Sequence, residues 1–224
     1  MKQKPWSETE IATVASAWLA ERGFDCYPEA QFRAYSARAD IAGVQGKRLG
    51  IVEAKISGTI AVLDQAARWL GKAHFVWIAT PTYGDTFGWA CRTRGIGIIG
   101  IRREHWPDGP ACIDDRNSVP APLHRFAHAE AQTLIAQLHP DMKRAVAGSA
   151  SGRSYYSTPF SRTIEAAKAH VAANPGCTMH QVVQAITHHY AHDASARGAL
   201  ANWVDRFARR ADDGRLYPLD KAAA

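Results

Sequence analysis

Residues 38–58 read "RADIAGVQGKRLGIVEAKISG", two apolar stretches around a Gln-Gly-Lys turn, and they constrain the fold more than any other part of the chain. Apolar runs separated by a tight turn predict a β-hairpin. Into these strands are set Asp40, Glu53 and Lys55. Side chains alternate along a strand. Ile51, Glu53 and Lys55 are therefore expected on one face, and Val52, Ala54 and Ile56 on the other, toward a core. A turn at residues 45–47 brings Asp40 level with Glu53 to within a residue or two. Two carboxylates that close repel, and burying the pair is costly. A divalent cation resolves the conflict, because Mg²⁺ takes oxygen ligands, often one or two carboxylates, with water and phosphate completing its shell. A lysine beside it can hold water or offset charge developing on a phosphate.

The flanking sequence supplies a frame for this hairpin. "SETEIATVASAWLAERGF" has Ser7 and Glu10 at capping-box spacing, then Ile11, Val14, Trp18 and Leu19 on one helical face. "DCYPEAQF" reads as a strand whose proline suits an edge. "TIAVLDQAARWLGKA" predicts a helix, "HFVWIATP" a buried strand, "TFGWACRTRG" a short helix and "IGIIGIRR" another buried strand. The order α-β-β-β-α-β-α-β predicts a mixed α/β domain.

Asp40, twelve intervening residues, then Glu53-Ala54-Lys55, within that element order, resembles the PD-(D/E)XK nuclease superfamily. The resemblance spans roughly residues 7–102. Ala39 stands where the motif's name has proline. Gln65-Ala-Ala-Arg-Trp69 resembles the Q-x-x-x-Y element of the RecB-like branch, with tryptophan replacing tyrosine. Glu8 and Glu29 stand where relatives carry auxiliary acids. The resemblance implies a restriction-endonuclease-like mixed central sheet flanked by helices. It implies an Mg²⁺-dependent deoxyribonuclease, with Mn²⁺ able to substitute. Asp40 and Glu53 would hold the metal; Asp40, Glu53, Lys55 and Gln65 would form the catalytic set. It further implies 5′-phosphate and 3′-hydroxyl products and allows a homodimer. Bland alternatives stand beside these assignments. Glu53 and Lys55 can form an exposed salt bridge on a solvated sheet face. Gln65 can be an ordinary exposed helix residue, and Glu8 a favourable charge in a first helical turn. A non-cleaving DNA-binding or regulatory protein on the same fold is the main rival function, and an enzyme acting on RNA is a third reading.

Three other patterns carry less. Asp141-Met142-Lys143 also fits D-x-K but follows "LHP" and lies on no expected strand. "GIGIIG" at residues 95–100 matches a dinucleotide fingerprint but falls inside a strand rather than between strand and helix, so no nucleotide cofactor is expected. His188 and His192 sit one helical turn apart with no third ligand in view. Arg92, Arg94, Arg102 and Arg103 could track a phosphate backbone or form a solvated rim.

Residues 103–124 read as irregular, followed by a helix in "FAHAEAQTLIAQLH" and a Gly/Ser-rich linker in "AGSASGRSYYS". Beyond it, Phe160, Ile164, Ala167 and Val171 form one helical stripe. Thr178 and Gln181 make a second capping box. Asp193 can cap a third helix with Ala196, Leu200, Trp203, Val204 and Phe207 on one face, and "DDGRLYPL" suits a hairpin or wing. The division expected is a nuclease-like core at 1–105, an extension and linker at 106–150, and a helix-turn-helix or winged-helix-like DNA-binding module at 151–224. Arg197, Arg206, Arg209 and Arg210 are its candidate DNA contacts. A plain helical cap on the first domain is the alternative.

Composition agrees with this picture without deciding it. The 224 residues carry a formal charge of +6, which favours polyanionic partners such as DNA. The excess is even: 18 Lys and Arg against 15 Asp and Glu through residue 150, then 9 against 6. Four scattered cysteines without a C-x-x-C pair argue against a zinc ribbon. With no signal-peptide pattern and no long apolar run, a cytoplasmic protein with free thiols and no membrane partner is expected.

Overall fold

The computed structural model describes residues 4–32, 37–105, 109–144, 159–188 and 190–219, which fall into two compact units, Met1–Tyr156 and Ser157–Ala224. In the first unit, α1 (Glu8–Glu21) begins where Ser7 Oγ accepts the Glu10 N–H at 3.2 Å. The expected capping box is only half made. The Glu10 carboxylate instead takes both terminal nitrogens of Arg103, at 3.0 Å from Nη2.

Then come β1 (Asp25–Phe32), β2 (Ala37–Gln45) and β3 (Arg48–Ala54), followed by α2 (Ile60–Ala67), β4 (Phe75–Thr80), α3 (Asp85–Arg94) and β5 (Gly97–Arg103). A sixth strand, β6 (Ala111–Ile113), pairs with β5 inside the stretch expected to be irregular. The six form one sheet in chain order, antiparallel through β1-β2-β3, parallel through β3-β4-β5, and antiparallel again at β6. Pro28 lies on the edge strand β1, where its missing N–H costs least. The helix α4 (His128–Ile135) completes the unit.

Both faces of the sheet are apolar, which corrects the expectation of a single core face. On one face, Leu49 and Ile51, Val76 and Ile78, and Ile96 and Ile98 pack with residues of α2, α3 and α4. On the other, Val52 and Ala54, Trp77 and Ala79, and Ile99 and Ile101 pack under α1. Parallel strands covered on both sides read as near-continuous apolar runs. Ile56, expected in the core, lies past the end of β3 and is 46% exposed. Trp77 explains two glycines. A Cβ at Gly50 would come within 2.7 Å of its ring, and one at Gly97 within 2.4 Å. Gly97 of the "GIGIIG" run is thus a packing residue on β5, and the run opens no helix.

In the second unit α5 (Pro159–Ala173), α6 (Met179–Ala185) and α7 (Asp193–Asn202) precede a two-stranded ribbon of β7 (Arg209–Arg210) and β8 (Leu216–Tyr217). Ile164, Ala167, Val171, Val182, Val183, Ala196, Leu200, Phe207 and Leu216 form its own core. The Thr178–Gln181 capping box is fully made. Trp203, expected on the buried stripe, follows the end of α7 and is 43% exposed. The Gly/Ser-rich linker expected at 147–157 lies outside the described residues. Among the described residues no helix is long and apolar enough to cross a membrane.

Candidate active site

The ladder between β2 and β3 runs from Gln45–Arg48 to Ile41–Val52. The next step along each strand is Asp40 and Glu53, on the same face as Ala42 and Ile51. There the backbone pairing gives way to a side chain: the Ala54 N–H donates to Asp40 Oδ2 at 2.9 Å. The same oxygen accepts from Lys55 Nζ at 2.8 Å, and Lys55 also donates to Glu8 Oε2 at 3.2 Å. Lys55 stands just past the strand, anchored by its own N–H to the Ala79 carbonyl at the end of β4. The site thus lies at the carboxyl end of the parallel pair β3-β4, where backbone groups leave the ladder and side chains take their place.

Glu53 is buried, and its Oε1 accepts the indole N–H of Trp69 at 2.8 Å. Burial raises its pKa, and the charge of Asp40 raises it further, to about 7; the Trp69 hydrogen bond, Lys55 and Arg68 pull the other way. For Lys55, burial favours the neutral amine, but the charges and hydrogen bonds of Asp40 and Glu8 outweigh it and raise the pKa. The lysine is therefore a firm cation, and Glu53 is a carboxyl held near its titration midpoint at neutral pH.

These groups line a cavity of about 340 Å³ with Arg38, Gln65, Arg68 and Trp69. Gln65 Oε1 is buried there with no hydrogen-bond partner among the described residues. An orphaned amide oxygen beside two carboxylates is a set of hard oxygen donors, which fits a cation of the Mg²⁺ type. Among the described residues no three His, Cys, Asp or Glu side chains gather at metal-binding range. Glu8 is drawn to Lys55, and Glu29 to Arg38, whose Nε lies 2.8 Å from Glu29 Oε2. The acids expected as auxiliaries are both near the site, each paired with a cation.

Sequence reasoning missed Arg38 and Arg68 as cavity residues; an arginine two residues before an acid, or at a helix end, has no signature. It also gave Trp69 no task beyond replacing an aromatic residue. The other patterns resolve into structure. Lys143 of the D-x-K decoy lies in a 3₁₀ turn and pairs with Asp25 at 2.8 Å. Arg103 is buried, gripped by Glu10 and stacked 4.0 Å from the Trp6 ring centre, so it is no backbone-tracking arginine. His188 meets the carboxylate of Asp193 at 3.1 Å, and Gln184 binds the other oxygen of that acid. Asp193 therefore serves the turn between α6 and α7 rather than capping α7, whose N-cap is His192. In the second unit Arg197, Arg206, Arg209 and Arg210 are all exposed. Arg206 lies 4.3 Å from the ring centre of Trp203, and Arg209 5.3 Å from that of Tyr217. Comparison of the chain with protein-family models, curated proteins and solved structures finds no match.

Proposed function

We propose that this protein is a metal-dependent nuclease of the PD-(D/E)XK type that hydrolyses phosphodiester bonds in DNA. The observation that carries the reading is the opposed pair Asp40–Glu53, with Lys55 on the first and Trp69 on the second, in a cavity with an orphaned Gln65 oxygen. Asp40 and Glu53 would hold Mg²⁺ or Mn²⁺, with Gln65 as a third oxygen. When bound, the cation supplies Lewis acidity to the scissile phosphate and to water. Lys55 cannot serve as a base at neutral pH, because its partners keep it protonated. Its ammonium instead holds the attacking water or offsets the charge that builds on the phosphate oxygens. Water adds to phosphorus, the bond to the 3′ oxygen breaks, and that oxygen takes a proton. Trp69 keeps one oxygen of Glu53 turned toward the cavity wall, fixing the carboxylate for its task.

The second unit is read as a helix-turn-helix or winged-helix-like module that holds duplex DNA. The support is three short helices, a two-stranded ribbon and exposed arginines beside Trp203 and Tyr217.

The test is incubation of the purified chain with supercoiled plasmid in Mg²⁺, Mn²⁺ or EDTA. Cleavage is expected with either cation and lost in EDTA. Asp40→Ala and Glu53→Ala should each abolish cleavage and weaken Mg²⁺ binding in calorimetry while the fold persists by circular dichroism. Cleavage near the wild-type rate in either variant overturns the site.

A further inference from the structure

Glu29 offers a third acid beside the pair. It falls between the partners Pro28–Ile41 and Ala30–Ala39, opposite Asp40, so Glu29, Asp40 and Glu53 stand in one row across β1, β2 and β3. Two observations separate it from the other two. It is the one non-glycine residue with positive φ among the described residues, at 52°. Such backbone in a strand is disfavoured and persists only where the surroundings enforce it. Its carboxylate is also 1% exposed and ion-paired to Arg38 Nε at 2.8 Å, while the Arg38 side chain is 39% exposed in the wall of the cavity. The buried acid faces the arginine, and the arginine faces the cavity.

Resting on the nuclease reading, we propose that Arg38 is a phosphate contact of the substrate and that Glu29 is its positioning residue, outside the metal-holding set. The ion pair with Glu29 restrains where the guanidinium stands, and a restrained guanidinium gives directed hydrogen bonds to phosphate oxygens. Arg68 stands in the same cavity from the α2 side. With Lys55 the cavity then presents three cations, enough to engage phosphates beyond the scissile one. The substrate class is a polynucleotide rather than a lone phosphomonoester.

The experiment uses the full chain and a short fluorescein-labelled DNA duplex, titrated by anisotropy in EDTA at several KCl concentrations. Thermal melting and Mg²⁺ calorimetry are run on each variant. Arg38→Ala should weaken duplex binding about tenfold and lower the salt slope by about one. Glu29→Gln should weaken binding less, at an unchanged slope and an unchanged Mg²⁺ affinity. Arg38→Ala also strands a buried carboxylate and lowers the melting temperature. The double variant Glu29→Gln/Arg38→Ala should regain that temperature and still bind as poorly as Arg38→Ala. Recovery of binding together with melting temperature would make the pair purely structural and overturn the proposal. A loss of Mg²⁺ affinity in Glu29→Gln would place Glu29 among the metal-holding acids and overturn its positioning role. If wild type cleaves plasmid and Arg38→Ala binds duplex as wild type does, this inference fails alone. If wild type neither cleaves nor binds DNA, the nuclease reading fails and takes the inference with it.

Discussion

Glu53 carries the clearest consequence of burial at the level of single residues. Its folded pKa of about 7 lies above the ordinary carboxylate value of 4.5, so the metal-free folded chain holds a proton that the unfolded chain gives up. Stability from this group is full below the ordinary value and is lost as pH rises through about 7, by up to about 3 kcal/mol. The melting temperature in EDTA should therefore fall between mildly acidic and mildly alkaline buffer, and Glu53→Gln should flatten that slope. If Glu53 holds Mg²⁺ as proposed, the cation must displace the same proton, so its affinity, measured by calorimetry, should climb with pH and level off above about 7. Lys55 should separate binding from rate. Lys55→Ala should keep most Mg²⁺ affinity and lose several orders of magnitude in cleavage, read from single-turnover kinetics. Lys55→Arg should restore little, since a planar guanidinium does not replace a compact ammonium. Asp40, Glu53 and Lys55 were legible because hairpin spacing and strand alternation fix who stands opposite whom. Arg38 and Arg68 were not, because their role depends on which way a long side chain leans. The partner of Glu29 was hidden for the same reason.

Among the elements, α1 shows how a reading by periodicity alone falls short. Its apolar stripe was plain, yet its grip on the sheet comes also from the bidentate Glu10–Arg103 pair, which joins the first helical turn to the end of β5. A pair 93 residues apart leaves no local trace. Because Arg103 is buried, Arg103→Ala should cost about 3 kcal/mol, seen in chemical denaturation. Glu8 lies on the same turn, so the contact between Glu8 and Lys55 should loosen as well. The alternation of Glu53 and Lys55 by itself suggests a single core face for the hairpin. Leu49 and Ile51 on that same parity were the signal of burial on both sides. The strand β6 was missed because three residues between prolines carry no usable pattern.

As a whole molecule the chain divides into two units, each with its own apolar cluster. The expected boundary at 150–151 falls outside the described residues, and the units divide at 156–157; the stripe Ile164, Ala167 and Val171 beyond it lies in a cluster of its own. If the tail holds DNA, a chain ending at residue 156 should fold, keep Mg²⁺ affinity and cleave plasmid. It should bind duplex more weakly and with a shallower salt slope, roughly one unit for each lost phosphate contact. Charge reversal at Arg206, Arg209 and Arg210 should reproduce that loss in the full chain. Unchanged binding in the truncated protein would assign the tail to another partner. The edge of the sheet has a bearing on the molecule in crowded solution. An edge strand is a template for another chain, and β1 is the edge of this sheet, with the 3₁₀ turn of Lys143 packed against part of it. Pro28 removes one of its donors, and the reversed backbone at Glu29 interrupts its extended run directly after. The extended run on either side is short, so the kink at Glu29 beside Arg38 also works against edge-to-edge aggregation.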